Sequence, residues 1–196
     1  MADEPVTCLS CGVFRMELRE LIRRGELHCR TMILDSMLHM TPALLEKRME
    51  AAMAARPGEK TVILYGDCHP GMQTMQSRGG CAKVAGLNCC EIILGHDLYK
   101  KLQTDKTFIF LPEWTVRWRE IFCRELGLDN REVARSFMKE YCGRFVYVDT
   151  GVAPVQAERI REIEEFFQIP VEIISVSLDP LRTTLAEAIT GLSKGK

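Results

Sequence analysis

The sequence predicts an α/β protein: a mainly parallel sheet flanked by helices, Rossmann-like and three-layered. Strand-length apolar runs alternate with stretches of helical period along the whole chain, the pattern of right-handed crossovers between parallel strands. Glycine and proline fall at the junctions between these runs, where helices and strands must stop. A length of 196 residues with 46% hydrophobic content suits one α/β domain over residues 1–196, or two small lobes sharing one cleft.

Val6 to Ser10 is an apolar strand that stops at Cys11-Gly12. The following helix carries Phe14, Leu18, Leu21 and Ile22 on one stripe, and Gly25 closes it. Leu27 to Leu34 reads as the second strand. Pro42 opens a helix at the position proline prefers, with Leu45, Met49, Ala52 and Met53 as its core face. Val62 to Tyr65 is the third strand. A long loop follows, rich in glycine, methionine and cysteine, with at most a very short strand at Val84 to Leu87.

Ile92 to Leu102 reads as a helix interrupted near Gly95-His96-Asp97. Phe108 to Leu111 is a strand stopped by Pro112. Trp114, Trp118, Ile121, Phe122 and Leu126 share one helical face that ends at Gly127. Asp129-Asn130 offers caps for a helix running to Tyr141. Phe145 to Val148 is a strand, Pro154 opens a helix with Ile160, Ile163 and Phe167, and Val171 to Val176 is the last strand. A final helix carries Leu181, Leu185 and Ile189, and the tail SKGK is polar.

The totals exclude several classes. A net charge of -1 gives no basic surface for nucleic acid or an acidic membrane. No apolar run is long enough to span a bilayer, and the N-terminus, MADEPVTC, lacks the features of a signal peptide. The chain is read as cytoplasmic, with a small-molecule ligand or substrate as its expected partner. Nine cysteines in a reducing compartment do not form a disulfide framework. Most of them serve as small core residues; Cys29, Cys123 and Cys142 read that way.

A parallel sheet aligns the carboxyl ends of its strands along one edge, where ligands bind. The residues just past the strand ends are Cys11, Asp35, Cys68, Glu113, Asp149 and Asp179. Cys11 sits at a strand–helix junction, where thiolate, the metal-binding form, is favoured. Cys8 lies three residues earlier in the strand and so points to the opposite face. Cys68 has the same strand-end placement, with His69 beside it and Gly66 and Gly71 allowing tight backbone geometry. Cys89 and Cys90 are adjacent and point apart, so one site seldom uses both. Three thiolates suit zinc with an exchangeable fourth position, or a four-iron cluster with one iron open. Sequence leaves these open.

Around them, Asp35 and His39 are four apart and suit acid–base work or oriented metal ligation, although a helix cap at Asp35 or Ser36 is the stronger explanation. Glu113 and Asp149 are further carboxylates for a pocket. Arg78-Gly79-Gly80 offers an anion nest. With Gly66 and His69, Arg78 and Gly79 make up the expected cofactor-binding loop. The tripeptide Asp149-Thr150-Gly151 echoes aspartic proteases, but one copy in an α/β context does not make that enzyme. Two readings stand beside the metal centre: a metal-free module for a small molecule or corrinoid, and a thiol-redox protein using Cys68 and a loop cysteine.

The segments CGVFRMEL, LDSMLHMTP, YGDCHPG, GLNCCEIILG, LPEWTVRW and VYVDTG together resemble the family catalogued as domain of unknown function 1638. The likeness runs from about Cys11 to Asp179 in unbroken order. It implies a setting in methanogenic archaea and strict anaerobes, sometimes near corrinoid methyl-transfer systems. That setting in turn implies corrinoid or methyltransferase proteins as partners, a role in one-carbon metabolism and an oxygen-sensitive cluster. The family's cysteines fall at Cys11, Cys68 and Cys89, which makes Cys89 rather than Cys90 the third expected ligand. Many relatives carry His-Asp-Cys where this chain has Leu87-Asn88-Cys89, so a histidine there has no universal role.

Overall fold

The computed structural model describes residues 6–193; the N-terminal MADEP and the last three residues of the tail lie outside the described residues. The chain divides into two compact units, one formed by residues up to Gly95 together with Leu178 onward, the other by His96–Ser177. Each contains its own all-parallel sheet flanked by helices, the arrangement of a three-layer α/β protein.

In the first unit the strands are β1 (Thr7–Cys11), β2 (Arg30–Leu34), β3 (Thr61–Leu64) and β4 (Cys81–Lys83), in the order β2-β1-β3-β4. β1 pairs with β2 so that Cys11 lies opposite Leu34. It pairs with β3 so that Ser10 lies opposite Leu64. Every residue of β1 and β3 is buried, as expected for central parallel strands covered on both faces. The helices are α1 (Arg15–Arg23), α2 (Pro42–Ala54), the short α3 (Met72–Gln76) and α4 (Cys89–Leu94), and α9 (Asp179–Ser193) returns to this unit from the end of the chain. Leu18 and Leu21 of α1, Leu45 and Met49 of α2, and Leu181 and Leu185 of α9 are fully buried, each contributing about 1.5–3 kcal/mol by leaving water.

In the second unit α5 (His96–Thr104) leads into β5 (Thr107–Phe110), α6 (Pro112–Val116), α7 (Arg131–Tyr141), β6 (Arg144–Asp149), α8 (Ala157–Phe167) and β7 (Val171–Ser175). The strand order is β5-β6-β7. Its core is aromatic: Phe110, Phe122, Phe145, Phe166, Phe167 and Trp118 are buried together. Phe145 meets Phe167 edge-on at 5.5 Å between ring centroids, and Trp118 meets Phe166 at 5.1 Å. Such contacts add about 0.5–1.5 kcal/mol each beyond area burial.

Several elements differ from the sequence expectation. One sheet edge was expected; there are two sheets, because β4 ends the first, and β5 pairs with β6, which pairs in turn with β7. Alternation of apolar runs fixes the number of strands but not their partners. The loop after β3 is not structureless, since it holds α3 and β4. The strand in it is Cys81–Lys83, not Val84–Leu87. Leu87 is 64% exposed, and the chain turns at Gly86 with φ +128.

The second strand begins at Arg30, not Leu27. The aromatic helix after Pro112 breaks into α6 and a π-helical turn over Glu120–Glu125. Leu126, just past that turn, is 49% exposed. The helix expected from Pro154 starts at Ala157, and Ile22, assigned to the core stripe of α1, is 38% exposed.

Candidate metal centre

β1 ends in Cys11, and Gly12 follows. A methyl group on Gly12 would lie 2.9 Å from the Leu34 carbonyl oxygen and 3.1 Å from the Ser36 nitrogen. A side chain is therefore excluded where the end of β1 presses on the end of β2. Asp35, just past β2, caps the 3-10 turn Ser36–Met40 by accepting from the Met37 N–H at 2.8 Å.

β3 ends in Leu64, followed by Tyr65, Gly66, Asp67 and Cys68. Asp67 N–H donates to the Leu87 carbonyl at 2.7 Å, which holds the segment after β3 against the segment before α4. Asn88 caps α4: its Oδ1 accepts from the Glu91 N–H at 3.0 Å. Glu91 reaches back to accept from the Leu87 N–H at 2.7 Å. Cys89 is therefore the first residue of a helix whose start is fixed from both sides. Lys83, at the end of β4, is a buried cation with 7% side-chain exposure, ion-paired to Asp67 Oδ1 at 3.1 Å. Its Nζ also donates to the carbonyls of Val84 and Gly86, each at 3.1 Å. One ammonium thus ties together the two segments that present Cys68 and Cys89.

The result is a cluster of three thiols. Cys89 is hydrogen-bonded with both Cys11 and Cys68. Cys11 and Cys89 are buried and Cys68 is half-buried. Hydrogen bonds to Cys11 and Cys68, followed by burial, push the Cys89 thiol well above its ordinary value. Cys68 moves the other way, down to about 7. The hydrogen bond from Cys89 is the main cause; Lys83 and the Gly66 N–H add to it, while burial and Asp67 oppose it. Cys90 stands apart, raised to about 12 by burial alone. Among the described residues no three His, Cys, Asp or Glu side chains stand in ready-made metal-ligand geometry; the three sulfurs are gathered as hydrogen-bonded thiols.

Tyr65 completes the neighbourhood. Its side chain is 1% exposed, and its hydroxyl is buried without a hydrogen-bond partner among the described residues. Burial holds that hydroxyl protonated, and the charges that reinforce this come from Cys11, Cys89, Cys68 and Asp35, in that order.

The other expected site residues are placed as follows. His69 is buried, with Nδ1 accepting from the Gly71 N–H at 2.8 Å and Nε2 lying 3.0 Å from Glu46 Oε2; both ring nitrogens are engaged away from the thiols. A methyl group on Gly71 would strike that ring at 2.7 Å. Arg78 pairs with Glu50 at 2.8 Å, and Gly79 has open space around it. His39 turns back on the Ser36 carbonyl. Glu113 and Asp149 belong to the second unit. Glu113 lies 3.4 Å from Arg117, and Asp149 accepts from the Gly151 N–H at 2.8 Å. Met72 and Met75 are core residues, each 1% exposed.

Sequence reasoning missed three features. Lys83 sits in the small and apolar run Ala82-Lys83-Val84-Ala85-Gly86, which was the available signal for a buried ammonium. Tyr65 was read only as the end of a strand. Cys29 was read as structural, yet it is hydrogen-bonded with Cys8 in a second thiol pair; Cys8 is raised and Cys29 lowered by that bond. All nine cysteines are free thiols.

Fold and site together define an α/β protein of two parallel-sheet units with a buried thiol cluster at the carboxyl ends of the first sheet. The chain belongs to the family described as Protein of unknown function (DUF1638), whose model matches residues 33–185. Cys68 and Cys89 fall within the matched span, and Cys11 precedes it. No curated protein and no solved structure matches the chain. Among the described residues no helix is long and apolar enough to cross a membrane.

Proposed function

We propose that Cys11, Cys68 and Cys89 are the ligands of one thiophilic metal centre whose remaining position is exchangeable. The observation that carries this reading is the hydrogen-bonded contact of Cys89 with both other thiols. Sulfurs that share one ion with bonds of about 2.3 Å must lie within about 4 Å of one another. A cluster places each sulfur on a different iron and spreads them further, so the contact of Cys89 with each of the other two thiols favours a single zinc-like ion over iron–sulfur. Lys83 supports the same reading, because its charge acts on Cys68 and would offset part of the negative charge of a thiolate there. Gathered thiols also favour a metal over a metal-free corrinoid module, which would disperse them around a wide apolar cavity.

Such an ion supplies Lewis acidity at its open position and would hold a substrate thiol as thiolate or activate a water. This suits the methyl-transfer setting that the family likeness implies. The chain's own part is to deliver three sulfurs from the ends of β1, β3 and the start of α4, and to keep that pocket from water. The test is metal analysis of protein purified anaerobically from medium replete in zinc and iron. Wild type should carry about one ion per chain, with three thiolates as its protein ligands. Serine at position 11, 68 or 89 should lose it, whereas Cys90→Ser should keep it. Wild type that stays metal-free overturns the reading.

A second reading is favoured by Cys68 being held near 7 beside a hydrogen-bonded thiol. Without metal, the Cys68 thiolate would attack a small-molecule disulfide and release one thiol. Cys89 would then displace Cys68's partner, leaving a Cys68–Cys89 disulfide and two reduced small thiols. Thiol counting separates the two readings, since a metal-bound triad resists alkylation until chelated.

A further inference from the structure

We infer that Cys8 and Cys29 form a second thiol site, which closes to a reversible disulfide when a small-molecule disulfide reaches Cys29. The site stands apart from the Cys11, Cys68 and Cys89 cluster and rests on neither reading of it. Cys8 and Cys11 lie in the same strand at an odd spacing, so their side chains leave opposite faces of the sheet.

β1 and β2 run parallel, with Thr7 opposite Arg30 and Cys8 opposite Thr31. The Arg30 N–H donates to the Val6 carbonyl at 2.9 Å, so the pairing holds up to the first residue of β2. Cys29 directly precedes that residue. It stands two positions before Thr31, and side chains two apart along an extended segment share a face. The register therefore carries Cys29 to the face that Cys8 occupies, and the two thiols are hydrogen-bonded. Their access differs. Cys8 is 1% exposed, whereas Cys29 is half-buried and within reach of a small reagent. The shared hydrogen bond lowers the Cys29 thiol and raises that of Cys8, which agrees with Cys29 as the attacking sulfur.

The Cys29 thiolate attacks one sulfur of the external disulfide, and the first half of that molecule leaves as a thiolate. Cys8 gives up its proton and attacks the Cys29 sulfur of the mixed disulfide, and the second half leaves. The protons of the two cysteines end on the two released thiols. Two cysteine thiols are oxidised and one external disulfide is reduced. The bridge closes the crossover from β1 through α1 to β2 into a covalent ring, and excess thiol reopens it.

The experiment treats reduced wild type with hydroxyethyl disulfide, blocks the remaining thiols with N-ethylmaleimide and maps the peptides by mass. Most chains should yield a Cys8–Cys29 bridge that dithiothreitol removes. In Cys8→Ala, Cys29 should instead keep a hydroxyethylthio group, because the resolving thiol is gone. In Cys29→Ser, Cys8 should stay unmodified, because the reagent reaches it only through Cys29. Wild type in which Cys29 keeps that group without a bridge overturns the inference, as does Cys29 bridged to another cysteine. Modified Cys8 in Cys29→Ser overturns it as well. The wild-type arm decides by itself should either variant fail to fold.

Discussion

Gly66 approaches Asn88 so closely that a methyl group placed on it would lie 2.3 Å from the Asn88 Cα. Backbone meets backbone there, so nothing flexible can give way. The contact brings the segment carrying Cys68 beside the helix start carrying Cys89. Gly66→Ala must push the two apart or unfold the loop. The expected outcome is a loss of at least about 1–3 kcal/mol, the range for overpacking a closed site, together with loss of bound metal. Urea denaturation and metal analysis on the same preparation check it; a variant with unchanged metal content would break the link between this contact and the site.

Cys68 should react near neutrality in the metal-free protein. Its thiol is held down to about 7, mainly by the hydrogen bond from Cys89. The rate of alkylation by iodoacetamide at Cys68 should therefore rise with a midpoint near 7, against about 8.5 for an ordinary thiol. Lys83→Met should move that midpoint upward by removing the ammonium, and Lys83→Arg should largely restore it. The same shifts set stability. Cys68 is depressed in the folded state, so its contribution is present above the ordinary thiol value and lost as pH falls through about 7. Cys89 is raised, so its contribution is present below the ordinary value and lost as pH climbs above it. Together the pair contributes most near the ordinary thiol value.

His69 belongs to the scaffold. Its Nδ1 holds the Gly71 N–H and its Nε2 meets Glu46. His69→Ala should cost about 1–3 kcal/mol of stability, the penalty for a buried polar partner left unpaired, while metal per chain stays as in wild type. A stable variant that has lost its metal would instead make His69 a ligand.

The Cys8–Cys29 pair makes a distinct reactivity map. Cys29 is half-buried and lowered by its hydrogen bond with Cys8, whereas Cys8 is buried and raised. Limited alkylation of metal-free protein should therefore label Cys68 and Cys29 first and Cys8, Cys89 and Cys90 last. Peptide mass mapping reads the order. Early labelling of Cys8 would contradict it.

Much of this site was legible before any coordinates. Apolar periodicity placed β1 and β3 to within a residue, and strand ends in a parallel sheet pointed to Cys11 and Cys68. The central loop was recognisable by its composition, and family likeness singled out Cys89 over Cys90. What escaped depended on contacts between distant residues. Lys83 looked like an ordinary lysine because only the pairing of β4 with β3 buries it. Cys29 looked structural because only β1–β2 pairing brings it to Cys8. His69 lay beside Cys68 in sequence, yet Gly71 and Glu46 turn its ring away. The second sheet was invisible because nothing in an apolar run names its neighbour, and β5 and β6 read like further strands of the first.

X-ray absorption at the metal edge of anaerobically purified protein examines the three-sulfur site without intermediaries. The expected spectrum has a shell of three sulfur scatterers at about 2.3 Å, reduced by one when Cys89 is replaced by serine and unchanged for Cys90→Ser. A shell of oxygen and nitrogen alone, or a sulfur count indifferent to Cys89, would show that the thiols gathered by β1, β3 and α4 hold no metal.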